Sequence, residues 1–384
     1  MSDDFLPFAK PDISQAAIDE VVACIKSGWL TTGPRTKQFE SDLETYLGAP
    51  YTLCLSSATA GLHLSLLALN LKPGDEVITT PMTFAATLNT IILAGGKPVL
   101  VDVEPGTYNI DVKKIAEAVT EKTRVIMPVH FAGLPVDLDP LYDIAKKHGL
   151  RVIEDAAHAI GAEYKKQRIG SFGDTQVFSF HPNKNMTTGE GGCITTRDDK
   201  ITKQMMLMRF HGMDREAWNR FGKSGKQDYQ IVFPGLKYNM MDMQAALGIH
   251  QLKRLDSFID KRQQLVKRYY EKLAGWDAWQ LPSTPDYEHR HAWHLFAPLI
   301  NPEKAGMTRE MFMEKMKEQN IGTGLHYHAV HLYPYYREHF GFKPGDFPHA
   351  ETIGERVVSL PLFPSMTEDE QDRVIDAMRR VIES

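Results

Sequence analysis

Seven short apolar runs alternate with helical patterns through the first half of the chain, and this alternation limits the fold more than any other feature. The runs cover residues 51–55, 76–80, 98–102, 125–129, 151–155, 176–180 and 192–196. Several are apolar throughout, as strands covered on both faces are. Between them, residues 60–69 set Leu62, Leu66 and Leu69 on one side of a helix. Residues 112–119 and 138–148 also read as helices, the latter closed by Gly149. Strands and helices in this order predict an α/β domain around a mainly parallel, seven-stranded sheet.

Around residue 240 the pattern changes. A long helix is expected over 243–273, followed by an aperiodic stretch, 276–287, holding Pro282 and Pro285. A smaller α+β portion completes the chain. Its last helix opens with a capping box, Thr367 to Glu370, and sets Val374, Met378 and Val381 on one face. The 384 residues are enough for two domains. The expected division is a large domain over 1–245 and a small C-terminal domain over 246–384, with the long helix able to bridge them.

Charge and cysteine usage narrow the partners. Lys and Arg total 44 against 49 Asp and Glu, a net charge of -5, so no basic surface for nucleic acid or an anionic membrane is expected. No apolar run approaches the length of a membrane span. The opening Met1-Ser2-Asp3-Asp4 is acidic and lacks the apolar core of a signal peptide. Cys24, Cys54 and Cys193 are odd in number, far apart and set in apolar stretches. They read as buried free thiols in a reducing cytoplasm rather than as a disulfide or a zinc site.

In an open parallel sheet, ligands sit beyond the carboxyl ends of the strands, so the polar residues there carry the functional reading. Ser56-Ser57-Ala58-Thr59-Ala60-Gly61 opens a helix after the first run; it is either a phosphate seat or a plain N-cap. No Gly-x-Gly-x-x-Gly supports a dinucleotide site. Phe84, after the second run, either stacks on a planar ring or packs in the core. Glu154 and Asp155 end a buried run, where acids are costly unless paired. Asp155 suits a pyridinium nitrogen and His158 a ring hydroxyl; the alternative is an ion pair and a satisfied core histidine. Ser179 lies five residues before Lys184, which sits in a tight polar loop between two apolar runs. A phosphate cradle, an aromatic, a carboxylate and a lysine, each at a strand end, form the set a pyridoxal phosphate enzyme needs. Further on, His326 and His328 are expected on one face of a strand, with His331 nearby. They read as substrate or phosphate contacts, or as metal ligands, although no carboxylate or cysteine evidently completes a metal set. His291-Ala292-Trp293-His294 stays ambiguous.

These motifs, in this order, make the chain resemble the nucleotide-sugar aminotransferase family (the DegT/StrS group) of fold-type I pyridoxal phosphate enzymes. The resemblance runs through residues 28–34, 56–61, 128–130, 154–158, 179–192, 209–212, 237–242 and 322–331, nearly the whole chain. It implies that Lys184 bonds the cofactor and shuttles a proton, and that Asp155 pairs with the pyridine nitrogen. His158, where many members carry Gln, would bond the ring hydroxyl, and Phe84 would stack on the ring. Ala58, Thr59 and Ser179 would hold the phosphate, helped by Asn239 from a second subunit, which makes the protein a homodimer with shared sites. Trp29, Thr32, His326 and His331 would lie near the sugar nucleotide. One subgroup carries histidine at the lysine position and dehydrates its sugar; Lys184 favours transamination. The stretch 186–192 resembles the branch that aminates C4 rather than C3. The Trp293 block and residues 322–326 resemble enzymes that make 4-amino-4-deoxy-L-arabinose on UDP, with UDP-linked 4-amino-4,6-dideoxy sugars as the neighbouring reading. The resemblance thus implies L-glutamate as donor, a UDP-linked 4-keto sugar as acceptor and pyridoxamine phosphate as the intermediate cofactor form. A dehydratase, a 3-aminotransferase and a non-catalytic cofactor-binding homologue are the alternatives.

Overall fold

A computed structural model describes residues 5–214 and 229–383, so Met1-Ser2-Asp3-Asp4 lies outside the described residues. In chain order the first strands are β1 (Tyr51–Leu55), β2 (Glu76–Thr79), β3 (Lys97–Leu100), β4 (Thr123–Ile126), β5 (Arg151–Asp155), β6 (Glu163–Tyr164), β7 (Gln167–Arg168), β8 (Thr175–Ser179) and β9 (Gly192–Thr196). Seven of them form one sheet in the order β1-β9-β8-β5-β4-β2-β3. β9 runs antiparallel to both neighbours, and every other pairing is parallel. The sheet is therefore mainly parallel, as its continuously apolar strands require. The short β6–β7 hairpin joins a separate three-stranded ribbon; its four residues carry no run long enough to be read from sequence.

Neighbouring residues on each strand feed opposite cores. Leu53, Leu55, Val77, Val125, Ile153, Val177 and Ile194 pack on one face with α3 (given below). Cys54, Ile78, Ile126, Val152, Phe178 and Cys193 pack on the other. Alternate side chains point to opposite faces, so burial of both faces favours apolar residues at consecutive positions. All three cysteines are buried and unpaired.

Helices α1 (Gln15–Lys26), α2 (Pro34–Leu47), α3 (Ala58–Ala68), α4 (Ala85–Leu93), α5 (Val112–Ala118), α6 (Leu138–His148) and α7 (Asp199–Met208) precede α8 (Asp242–Leu252) and α9 (Leu255–Leu273). The single helix expected over 243–273 is thus two. It breaks at Lys253-Arg254, where Arg254 reaches Asp12 at 3.0 Å. The break separates two duties. α8 packs on the N-terminal helices α1 and α2. α9 sends Leu255 and Ile259 into the sheet core and Leu265, Val266, Tyr269 and Leu273 into a third core. That third core also takes Phe296, Phe312, Leu360 and, from the last helix (Glu368–Glu383), Val374, Met378 and Val381. The expected capping box is present, with Glu370 N donating to Thr367 Oγ1 at 3.1 Å and Thr367 N to the Glu370 carboxylate at 2.8 Å. Leu6 joins this third core and bridges to Ile321, so the start of the chain packs with its end. No helix among the described residues is long and apolar enough to cross a membrane.

Asp242, fully buried at the start of α8, ties the N-terminal helices to the rest. Its carboxylate accepts from Arg35 N at 3.1 Å, from Thr36 N at 2.9 Å and from Thr36 Oγ1 at 2.8 Å. Asp242→Ala strands two backbone donors and is expected to cost ~3 kcal/mol. In a denaturant titration the midpoint falls with an unchanged slope; an unchanged midpoint would contradict this role.

Candidate active site

Loops at the carboxyl ends of β1, β2, β4, β5 and β8 surround one cleft. It is lined by Ser57, Ala58, Thr59, Thr83, Phe84, Val129, Asp155, His158, Ser179, Lys184, His326 and Tyr327, among others. The fold explains why these residues meet. A parallel sheet points all its strand ends the same way, and the first turn of α3 begins where β1 stops.

Lys184 sits on the β8–β9 connection, which is tied at both ends. Phe180 N donates to Gly191 O at 2.9 Å, Thr188 N to Phe180 O at 3.0 Å, and Lys184 N to His181 O at 2.9 Å. Gly192 closes the loop against α3: a Cβ there would lie 2.5 Å from Ala58 N. No larger residue fits between the two. The Lys184 side chain is half-buried, and its amine end lies in the cleft. Burial pulls the amine down from 10.5 to about 8, against the opposing pull of Asp155.

Asp155 is 5% exposed. Its carboxylate accepts from Thr87 Oγ1 at 2.8 Å and from Ala157 N at 3.2 Å. Burial raises its pKa, while those two hydrogen bonds and the charge of Lys184 lower it. The adjacent Glu154 is structural. It meets His130 Nε2 at 2.8 Å, Tyr142 Oη at 2.6 Å and Gln176 Nε2 at 2.7 Å, which satisfies a carboxylate that is 1% exposed. Of the two acids ending β5, one is spent on the core and one faces the cleft.

His158 places Nε2 3.0 Å from Tyr327 Oη, and its buried Nδ1 has no partner among the described residues. Burial holds the ring neutral, its pKa well below the ordinary value. Ser57 caps α3 by accepting from Ala60 N at 3.0 Å, so the N-cap reading holds for Ser57 while Ala58 and Thr59 in the first turn line the cleft. Phe84 is 62% exposed at the mouth, 6.0 Å from the Tyr327 ring, and so lies outside the core. Ser179 lines the floor at the end of β8.

The C-terminal histidines part company. Residues 325–329 form no strand; they run irregularly from the Gly324–Ser359 bridge to a 3-10 turn (Val330–Leu332). The expectation that His326 and His328 share a strand face is therefore corrected. His326 lines the cleft, with Nδ1 on Ser359 Oγ at 2.9 Å, and burial drops its pKa to about 3. His328 packs on Tyr333. His331 has no exposed surface; Nε2 meets Glu351 at 3.0 Å and the ring packs on Phe347. The expected sugar contact by His331 is thus corrected to a core histidine within this chain. Among the described residues no three His, Cys, Asp or Glu side chains converge in a metal-like group.

Trp29, Thr32 and Asn239 also meet one another, but outside the residues that line this cleft. Trp29 Nε1 donates to Thr32 O at 3.2 Å, Asn239 Nδ2 to Thr32 Oγ1 at 2.5 Å, and Thr32 Oγ1 to Met240 O at 2.5 Å. Two residues at the cleft were missed by sequence reasoning. Tyr327 closes the cleft beside His158. His294 lies behind the cleft wall, with Nε2 3.5 Å from Lys184 Nζ; the sequence left its block, 291–294, ambiguous.

The cleft fits pyridoxal phosphate. A buried carboxylate without a cationic hydrogen-bond partner and a buried, unpartnered His158 nitrogen suit a ring that offers an N–H and a hydroxyl. Small residues at the start of α3 suit a phosphate. The Lys184 amine, neutral above pH 8, suits an aldehyde.

Comparison with known proteins agrees. Residues 11–379 match the DegT/DnrJ/EryC1/StrS aminotransferase family. The chain is 44% identical over 379 residues to the spore coat polysaccharide biosynthesis protein SpsC of Bacillus subtilis, covering 98% of this chain and 97% of that one. The putative sugar aminotransferase Spr1654 of Streptococcus pneumoniae, solved in its PMP form, superposes with a TM-score of 0.90 at 34% identity, covering 98% of this chain and 99% of that one. Helicobacter pylori PseC, an aminotransferase of pseudaminic acid biosynthesis, superposes with a TM-score of 0.91 at 26% identity, covering 99% of each chain. The chain belongs to the DegT/DnrJ/EryC1/StrS family of pyridoxal phosphate-dependent sugar aminotransferases, of fold-type I.

Proposed function

We propose that the protein moves the amino group of L-glutamate to C4 of a UDP-linked 4-keto sugar, giving a 4-amino-4-deoxy sugar nucleotide and 2-oxoglutarate. The observation that carries a transamination is the Lys184 amine, buried and partly neutralised, in one cleft with Asp155. Preference for C4 rests on the 186–192 loop. A lysine at 184 speaks against the dehydratase reading.

Bound pyridoxal phosphate supplies an electron sink that stores the amino group between the two substrates. Asp155 would keep a proton at the ring nitrogen; its hydrogen bonds come from Thr87 Oγ1 and Ala157 N, neither of them cationic. His158 Nδ1 meets the ring hydroxyl. Ala58, Thr59 and Ser179 hold the phosphate. Lys184 Nζ would carry the proton from the donor's α-carbon to the cofactor and, in the second half, from the cofactor to C4 of the sugar. His326, neutral in the cleft wall, offers the sugar a hydrogen-bonding edge. Phe84 covers the opening.

The protein is a homodimer in this reading. Trp29, Thr32 and Asn239 form one hydrogen-bonded group that does not line their own cleft, which suits residues that serve the partner's site. Ile18, Val22, Ile25 and Leu30 beside them are exposed apolar side chains, as is Met241, and a second copy would cover them. The three buried thiols suit a cytoplasmic enzyme.

Three outcomes check this. Lys184→Ala leaves no covalent cofactor after borohydride reduction, read by mass; an adduct elsewhere would sink the assignment. For the apoprotein, the neutral amine is the reactive form, so attachment of added pyridoxal phosphate speeds up with pH and levels off above about 8; a midpoint near the ordinary 10.5 would show an exposed amine. Finally, co-assembly of Lys184→Ala chains with Asn239→Ala chains restores about a quarter of parental activity, because each mixed dimer regains one intact site. A mixture no more active than its parts would refute the shared site.

A further inference from the structure

One buried cluster has no part in the account so far. His294 is 2% exposed. Its Nε2 lies 3.5 Å from Lys184 Nζ, and its buried Nδ1 has no partner among the described residues. Its ring lies 4.4 Å from that of His158. The one hydrogen bond its side chain makes among those described goes to the amine.

The turn that carries it is fixed from every side. Ala292 N donates to Gly133 O at 2.9 Å and His294 N to Ala132 O at 2.8 Å. Asn185, the residue after Lys184, donates from Nδ2 to Ala292 O at 2.5 Å. Arg262 on α9 donates from Nη1 to the carbonyls of Trp293 and His294, each at 3.2 Å, and to Leu362 O at 3.0 Å. Arg262 is 2% exposed, and its Nε has no partner among the described residues. Burial alone moves its pKa, with no carboxylate acting on it. A buried guanidinium without a counter-charge is costly, and an apolar side chain would fill the space. What Arg262 gains is a fixed pair of backbone carbonyls, those of Trp293 and His294 itself.

We propose that His294 is a further catalytic residue: its neutral Nε2 accepts a hydrogen bond from the Lys184 amine and so sets the direction of the amine's lone pair, with Arg262 as the positioning residue that fixes the His294 turn. The imidazole stays neutral, because it is buried among Lys184, Arg262 and two other histidines. It therefore orients the amine and does not take its proton. The titratable groups facing Lys184 are Asp155, His158, His294 and His326. None but His294 makes a hydrogen bond to the amine among the contacts described. The inference rests on Lys184 being the lysine that bonds the cofactor.

The test uses the full-length apoprotein and pyridoxal phosphate as probe. The amine adds to the aldehyde carbon, the aldehyde oxygen leaves as water, and the rate is followed by absorbance and by borohydride-fixed mass. His294→Leu attaches the cofactor about tenfold more slowly at its pH plateau, the rate equivalent of one lost hydrogen bond. His294→Gln, whose amide oxygen still accepts, stays within about twofold of the parent. Arg262→Met slows attachment as His294→Leu does. Parental speed in His294→Leu overturns the proposal. So does equal slowing in the Leu and Gln variants with equal loss of thermal stability, which marks a packing role. If the parent itself takes no covalent cofactor while it still binds, the Lys184 reading fails first, and that result is separate from either outcome.

Discussion

The enzyme depends on an amine kept short of water. An ordinary lysine at neutral pH is an ammonium and cannot attack a carbonyl or take a proton from carbon. Burial of the Lys184 side-chain end lowers its pKa to about 8, so a useful fraction is neutral. Asp155 works the other way, since its charge favours the ammonium. The balance between the two suits a site that must bind a cationic ring at Asp155 and keep a base at Lys184. Neutral rings at His158, His294 and His326 line the space between, and add no charge that would tilt it.

The scaffold serves that balance by rigidity. The β8–β9 loop holds Lys184 through its backbone, Gly192 lets the loop close on α3, Asn185 fastens the 291–294 turn to the same loop, and Arg262 braces that turn from α9. The cleft is therefore a joint between the sheet and the C-terminal portion, and His294 and His326 are its contributions from the far side. The long helix break at Lys253-Arg254 belongs to the same design: α8 anchors the N-terminal helices, while α9 carries Arg262 across to the turn that bears His294.

Much of this was legible in the chain. Strands covered on both faces are rich in consecutive apolar residues, so all seven announced themselves, and the residues read at their carboxyl ends, Ala58, Thr59, Phe84, Asp155, His158, Ser179 and Lys184, line one cleft. The failures share a cause. The break between α8 and α9 is set by the Arg254–Asp12 contact, between residues some 240 positions apart, and leaves no mark in local periodicity. His326 and His331 look alike in sequence; only the packing of Glu351 and Phe347 sends His331 into the core. His294 and Tyr327 reach the cleft through turns whose direction depends on distant carbonyls. Trp29, Thr32 and Asn239 could be named from resemblance, but their hydrogen-bonded grouping is a property of the folded chain.

The central claim is that this cleft carries an amino group from glutamate to the C4 carbon of a UDP-linked sugar. The most direct measurement follows 15N from labelled L-glutamate into a UDP-4-keto sugar by NMR, with the cofactor-loaded enzyme. The account predicts 15N on C4 of the sugar and an equal amount of 2-oxoglutarate. Label on C3, label on no sugar tried, or consumption of the sugar without transfer of nitrogen would contradict it.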